Sequence, residues 1–132
     1  MPTILVASDS QQVRDNVRTA LVRPGFTVVQ AERGQDVAPY VAASPPDLII
    51  LDMQIGNMGG MATATELRNE HSADRCEDVP ILLLLDREAD RFLGRTCDAE
   101  AMLLKPVDPG TLRRTVKETL EAADRAVAAP SP

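Results

Sequence analysis

The sequence predicts a single doubly wound α/β domain built on a five-stranded parallel sheet. Three observations lead there. Short apolar runs alternate with segments whose apolar residues recur at helical spacing. The runs at 47–52 (DLIILD) and 81–85 (ILLLL) show no polar alternation, as expected of strands covered on both faces. The chain of 132 residues is long enough for one core and too short for two.

The elements follow in order. Residues 3–7 (TILVA) form the first apolar run, and Val13, Val17, Ala20 and Leu21 then fall on one helical face before Pro24-Gly25 ends the helix. Residues 26–31 (FTVVQA) read as the second strand and 35–43 as a short helix, in which Pro39 is expected to introduce a kink or an early stop. Pro45-Pro46 breaks the chain before the third strand at 47–52. A loop with Gly56, Asn57, Gly59 and Gly60 leads to a helix over 61–70, and 71–78 is polar and loop-like. Pro80 opens the fourth strand, 81–85. A helix over 88–95 and a fifth strand over 101–104 follow. The last helix has Asp108 as its N-cap, Pro109 at its first position, and Leu112, Val116, Leu120 and Ala123 on its inner face. The domain is expected to span 1–127. Residues 128–132 read as a tail or linker stub, with no DNA-binding half after them.

Composition narrows the function. Aromatics are 2% of the chain, so aliphatic residues must fill the core. The formal charge of -6, from 20 acidic and 14 basic residues, argues against nucleic acid and against an anionic membrane surface. The start MPTILVAS is strand-like and not a signal peptide. The longest apolar run, five residues at 81–85, is far short of a bilayer span. Cys76 and Cys97 have no metal-ligand spacing and are expected as free thiols in a soluble, cytoplasmic protein. His71 is expected in an exposed loop.

In a parallel sheet, ligands gather outside the carboxyl ends of the strands. There the chain places Ser8, Asp9 and Ser10 after the first strand, Asp52 at the end of the third, Asp86 after the fourth and Lys105 after the fifth. Two carboxylates and an ammonium at three strand ends suit a hard cation and an anionic group. Taken singly, Asp9 reads equally well as a helix cap, a lone Asp52 is more often a turn former than a ligand, and Lys105 has a plain reading as a surface lysine.

The pieces ILVASD, PPDLIILDMQIGNMGG, VPILLLL and LLKPVDPGTL resemble the receiver domain of bacterial two-component response regulators over nearly the whole chain. The resemblance implies a flavodoxin-like (βα)5 fold. It also implies that Asp52 accepts a phosphoryl group from a phosphohistidine on a sensor histidine kinase or phosphotransfer protein. By the same resemblance Asp9, Asp52 and the backbone carbonyl of Gln54 hold Mg²⁺, Lys105 stabilises the phosphoryl oxygens, and the bond to Pro106 is cis. The implied protein is a regulatory phosphoacceptor, not an enzyme in its own right. A downstream protein partner, or a second copy in a homodimer, would use the face of the fourth helix, fifth strand and fifth helix.

The chain departs from the family pattern at several positions. Ser8 stands where the first acid of a pair is usual, and Gly56 replaces a common proline. Leu85 replaces the Ser or Thr that bonds the phosphoryl group and has no donor to offer. Asp86 stands where a small residue is usual, and Met102 replaces an aromatic switch residue. The interval from Leu85 to Lys105 is about two residues shorter than is common in the family. Two readings therefore compete: a phosphoacceptor with an atypical readout, and a phosphorylation-independent pseudo-receiver acting as a protein-interaction module. A phosphatase-like enzyme would resemble its relatives in a DxD motif, where this chain has Asp9-Ser10-Gln11.

Overall fold

The computed structural model describes residues 2–22, 25–53, 59–73 and 78–128. Five parallel strands, β1 (Thr3–Ala7), β2 (Thr27–Ala31), β3 (Leu48–Asp52), β4 (Ile81–Leu85) and β5 (Ala101–Leu104), form one sheet in the order β2-β1-β3-β4-β5. The helices are α1 (Gln11–Val22), α2 (Val37–Ala43), α3 (Gly60–Ser72), α4 (Arg91–Thr96) and α5 (Pro109–Ala128). The predicted doubly wound α/β class is the observed one. The strand order reverses between β1 and β3, which places the ligand-binding crevice of such a sheet at their carboxyl ends.

Alternation along the strands divides the core into two layers. Leu5, Ile49, Leu51, Ile81, Leu83 and Leu85 pack toward α2 and α3 with Val37, Val41, Ala64 and Leu67. Ile4, Val6, Leu48, Ile50, Leu82 and Leu84 pack toward α1 and α5 with Val17, Leu21, Leu112 and Val116. Both faces of β3 and β4 are therefore dry, which is why their sequences carry no polar alternation. The edge strand β2 is only half buried and starts at Thr27, one residue later than expected.

Local chemistry sets the helix ends. Ser10, not Asp9, caps α1: its hydroxyl accepts from the Val13 N–H at 3.3 Å. Pro39 falls in the first turn of α2, after a 3₁₀ turn at Gly34–Asp36. The first N–H groups of a helix have no intrahelical partner, so the proline removes nothing there and α2 runs on through it to Ala43. A second 3₁₀ turn, Glu88–Asp90, precedes α4. Helix α3 runs to Ser72, so His71 lies in its last turn and not in a loop. The Asp108 carboxylate caps α5, accepting from the Thr111 N–H at 2.9 Å and its hydroxyl at 3.2 Å.

Candidate functional site

The strand register brings the candidate residues together. Ala7 pairs with Leu51, so the next residues along, Ser8 and Asp52, lie side by side. Asp52 pairs with Leu84, and Leu85 pairs with Leu104, which sets Asp86 beside Lys105. The side chains follow this placement. Ser8 Oγ donates to Asp52 Oδ2 at 2.8 Å, Lys105 Nζ donates to Asp52 Oδ1, and the same Nζ lies 3.2 Å from Asp86 Oδ1.

Burial gives these contacts their weight. The Asp52 side chain is only 2% exposed and that of Lys105 22%. Burying a carboxylate is costly without charged or polar partners, and Asp52 has an ammonium on one oxygen and a hydroxyl on the other. Burial disfavours the Lys105 ammonium, but hydrogen bonds and charge from Asp52 and then Asp86 outweigh it, holding its pKa above the ordinary lysine value. Ser8 is fully buried. Its oxygen also accepts from the Ser10 N–H at 3.1 Å, so one hydroxyl links the acid at the end of β3 to the start of α1.

The backbone is close-packed beneath the acid. A Cβ on Gly60, the first residue of α3, would lie 2.4 Å from the carbonyl oxygen of Asp52. Only glycine allows α3 to begin so near the end of β3.

The remaining candidates lie around this pair. Asp9 follows directly and is exposed to solvent. Gln54 and Gly56 lie outside the described residues, as does Cys76. Leu85 is fully buried and belongs to the core layer under α2 and α3. Met102 packs beneath α4, where a Cβ on Gly94 would come within 2.2 Å of its sulfur. The Lys105-Pro106 bond is cis. Cys97 is a buried free thiol whose pKa burial pushes up, which leaves it a poor nucleophile.

Two features were not apparent from the sequence. One is the double pairing of Lys105, with Asp86 as its second carboxylate. The other is a cavity of about 650 Å³ between α1 and α5, opening beside Lys105 and walled by Val13, Val17, Leu84, Val107 and Leu112.

The donor set decides whether Mg²⁺ suits this edge. Asp9 and Asp52 supply hard carboxylate oxygens on adjacent strand ends, and Mg²⁺ commonly takes one or two carboxylates while keeping several waters. Among the described residues no three His, Cys, Asp or Glu side chains group closely enough to cage a metal. The two carboxylates are the oxygen donors that a largely hydrated Mg²⁺ takes.

Residues 4–117 match the family model of the response regulator receiver domain. The chain belongs to that family. Receiver domains are regulatory, and their general role is to be phosphorylated by a histidine kinase, generally with Mg²⁺. The chain is 38% identical over 125 residues to the uncharacterized response regulatory protein Rv3143 of Mycobacterium tuberculosis, covering 90% of this chain and 91% of that protein. It is 30% identical over 130 residues to the alkaline phosphatase synthesis transcriptional regulatory protein PhoP of Bacillus subtilis, covering 97% of this chain and 51% of PhoP. The receiver chain thus spans about half the length of PhoP and of other transcriptional regulators it matches, such as 54% of MprA from Mycobacterium ulcerans. Among solved structures, the chemotaxis protein CheY4 of Vibrio cholerae superposes with a TM-score of 0.78 at 26% identity, over 90% of this chain and 98% of CheY4. Among the described residues, no helix of this receiver is long and apolar enough to cross a membrane.

Proposed function

We propose that this receiver takes a phosphoryl group on Asp52 from the phosphohistidine of a sensor histidine kinase or phosphotransfer protein, and passes the signal on through protein contacts. The observation that carries this reading is the buried Asp52 carboxylate held between Ser8 and Lys105 at the strand-order reversal. In the transfer, the phosphorus–nitrogen bond of the phosphohistidine breaks, its electron pair stays on the imidazole, and a bond forms from phosphorus to an oxygen of Asp52. Phosphoryl transfer depends mainly on positioning and charge compensation. The Ser8 hydroxyl orients the acceptor. The Lys105 ammonium is close enough to shift from Asp52 to the incoming phosphoryl oxygens. Asp9, Asp52 and the carbonyl of Gln54 would hold Mg²⁺, which supplies further charge neutralisation.

The downstream contact is assigned to the face of α4, β5 and α5. Phe92 on α4 is 61% exposed and Leu104 at the end of β5 is 37% exposed, an apolar pair open to a protein partner or a second copy of the chain. With a formal net charge of -6, a cytoplasmic protein partner fits better than nucleic acid or lipid.

The second reading, a pseudo-receiver, is favoured by Leu85 and Met102, which lack the hydroxyl and the aromatic ring through which the family reads the phosphoryl group. Intact-mass analysis after incubation with Mg²⁺ and an acyl phosphate separates the two. The first reading expects one added phosphoryl group on the wild type and none on Asp52→Asn. An unchanged wild type, or equal labelling of both proteins, leaves the pseudo-receiver.

A further inference from the structure

Lys105 Nζ serves two carboxylates that belong to different parts of the molecule. Asp52 ends β3 and is buried; Asp86 is the first residue after β4 and is 36% exposed. One ammonium therefore ties the acceptor to the connection between β4 and α4. The connection is itself tied together by ion pairs. Arg87 donates to the buried Asp90 at 3.1 Å, and Arg91 pairs with Glu88. These pairs join the residues after Asp86 to the first turn of α4.

A phosphoryl group on Asp52 changes both sides of the Lys105 contact. It brings added negative charge and three strong acceptor oxygens. An ammonium has three donors and no fixed fork, so it follows the stronger set of acceptors. Asp86 then loses its cation and faces the added negative charge. Leu85 offers no hydroxyl to draw the loop inward, whereas the Lys105–Asp86 pair gives a side-chain link from acceptor to loop.

We propose that Asp86 is the phosphorylation-sensing residue of this receiver and that it works by release. With Asp52 unmodified, the Lys105–Asp86 pair latches the β4–α4 connection. With Asp52 phosphorylated, Lys105 turns to the phosphoryl oxygens and the latch opens. Asp86 is a positioning residue in this scheme: it touches neither the phosphoryl donor nor the acceptor oxygens. The proposal rests on the reading of Asp52 as acceptor, and its test separates the two.

Amide hydrogen exchange of residues 86–96 in the whole chain provides that test, with wild type and Asp86→Asn compared with and without Mg²⁺ and an acyl phosphate. Without phosphodonor, Asp86→Asn should exchange several-fold faster than wild type over 86–91. Equal exchange overturns the latch whatever happens at Asp52. With phosphodonor, wild type should rise to the level of the variant, while the variant, labelled to the same extent, should not change further. Labelling of both proteins with the same exchange change in each overturns the sensing role and leaves the acceptor reading intact. Absence of labelling overturns both. Asp86→Glu, which keeps the charge, should restore wild-type behaviour, and its failure to do so also counts against the ion pair as the device.

Discussion

The hydroxyl of Ser8 donates to Oδ2 of Asp52 across 2.8 Å, both groups being almost wholly buried. Where the family resemblance leads one to expect an acid, this chain carries a hydroxyl that donates to the carboxylate proposed as the phosphoryl acceptor. A hydroxyl there supports the buried Asp52 carboxylate, where a second carboxylate would repel it.

Replacing Ser8 tests that exchange. Ser8→Ala leaves a buried carboxylate oxygen without its donor and is expected to cost about 1–3 kcal/mol in urea unfolding without Mg²⁺. Ser8→Asp sets a second carboxylate beside Asp52. It should lower the melting temperature without Mg²⁺ and regain stability as Mg²⁺ is added, with a steeper Mg²⁺ dependence than wild type. A Ser8→Asp protein whose melting is indifferent to Mg²⁺ would refute the assignment of this edge to the cation.

Leu85 is fully buried in the layer under α2 and α3, with Val37, Val41 and Leu83 in the same cluster. Leu85→Thr removes apolar volume and places a hydroxyl in that layer, so a loss of about 2–4 kcal/mol is expected from chemical denaturation. A loss under about 0.5 kcal/mol, the range of ordinary surface changes, would mean that the hydroxyl finds a polar environment and that the position is still open to a switch contact.

Acid stability has a visible contributor at the start of α5. Hydrogen bonds from Thr111, the backbone N–H first and the hydroxyl second, hold the Asp108 carboxyl below the usual carboxylate range. Its folded pKa is depressed, so its contribution is complete above the unfolded value of about 3.9 and is lost as pH falls through the folded one. Asn caps a helix without titrating. Thermal melts of Asp108→Asn against wild type should show a wild-type advantage at neutral pH that shrinks and then reverses in acid. A difference constant with pH would contradict the role of the charged cap.

The fold was legible in the sequence because the strands announce themselves. The runs at 3–7, 81–85 and 101–104 coincide with β1, β4 and β5, since each is a short aliphatic stretch bounded by proline or by polar and charged residues. Helix boundaries were harder. Pro39 reads as a disruption until its place in the first turn is known, and α3 reaches Ser72 through a polar stretch that looks like loop. The positions of Asp52 and Lys105 at strand ends were also legible. The partners of their side chains were not. Ser8 reads as a missing acid and Asp86 as a charged residue in place of a small one. That Ser8 lies beside Asp52, and Asp86 beside Lys105, depends on the register of neighbouring strands, which one strand's sequence does not contain.

At the opposite end of the sheet, Arg68 on α3 reaches Asp78 at 2.7 Å, the carbonyl of Asp98 at 2.8 Å and both oxygens of Glu100 at 3.0 Å, while Glu100 accepts from the Ile81 N–H at 2.6 Å. Helix α4 lies between this anchorage, just beyond its last residue, and the Asp86 connection before its first. With the Asp86 latch released as proposed, α4 would stay anchored beyond its last residue through Arg68 and be freed at its start, where the exposed ring of Phe92 lies.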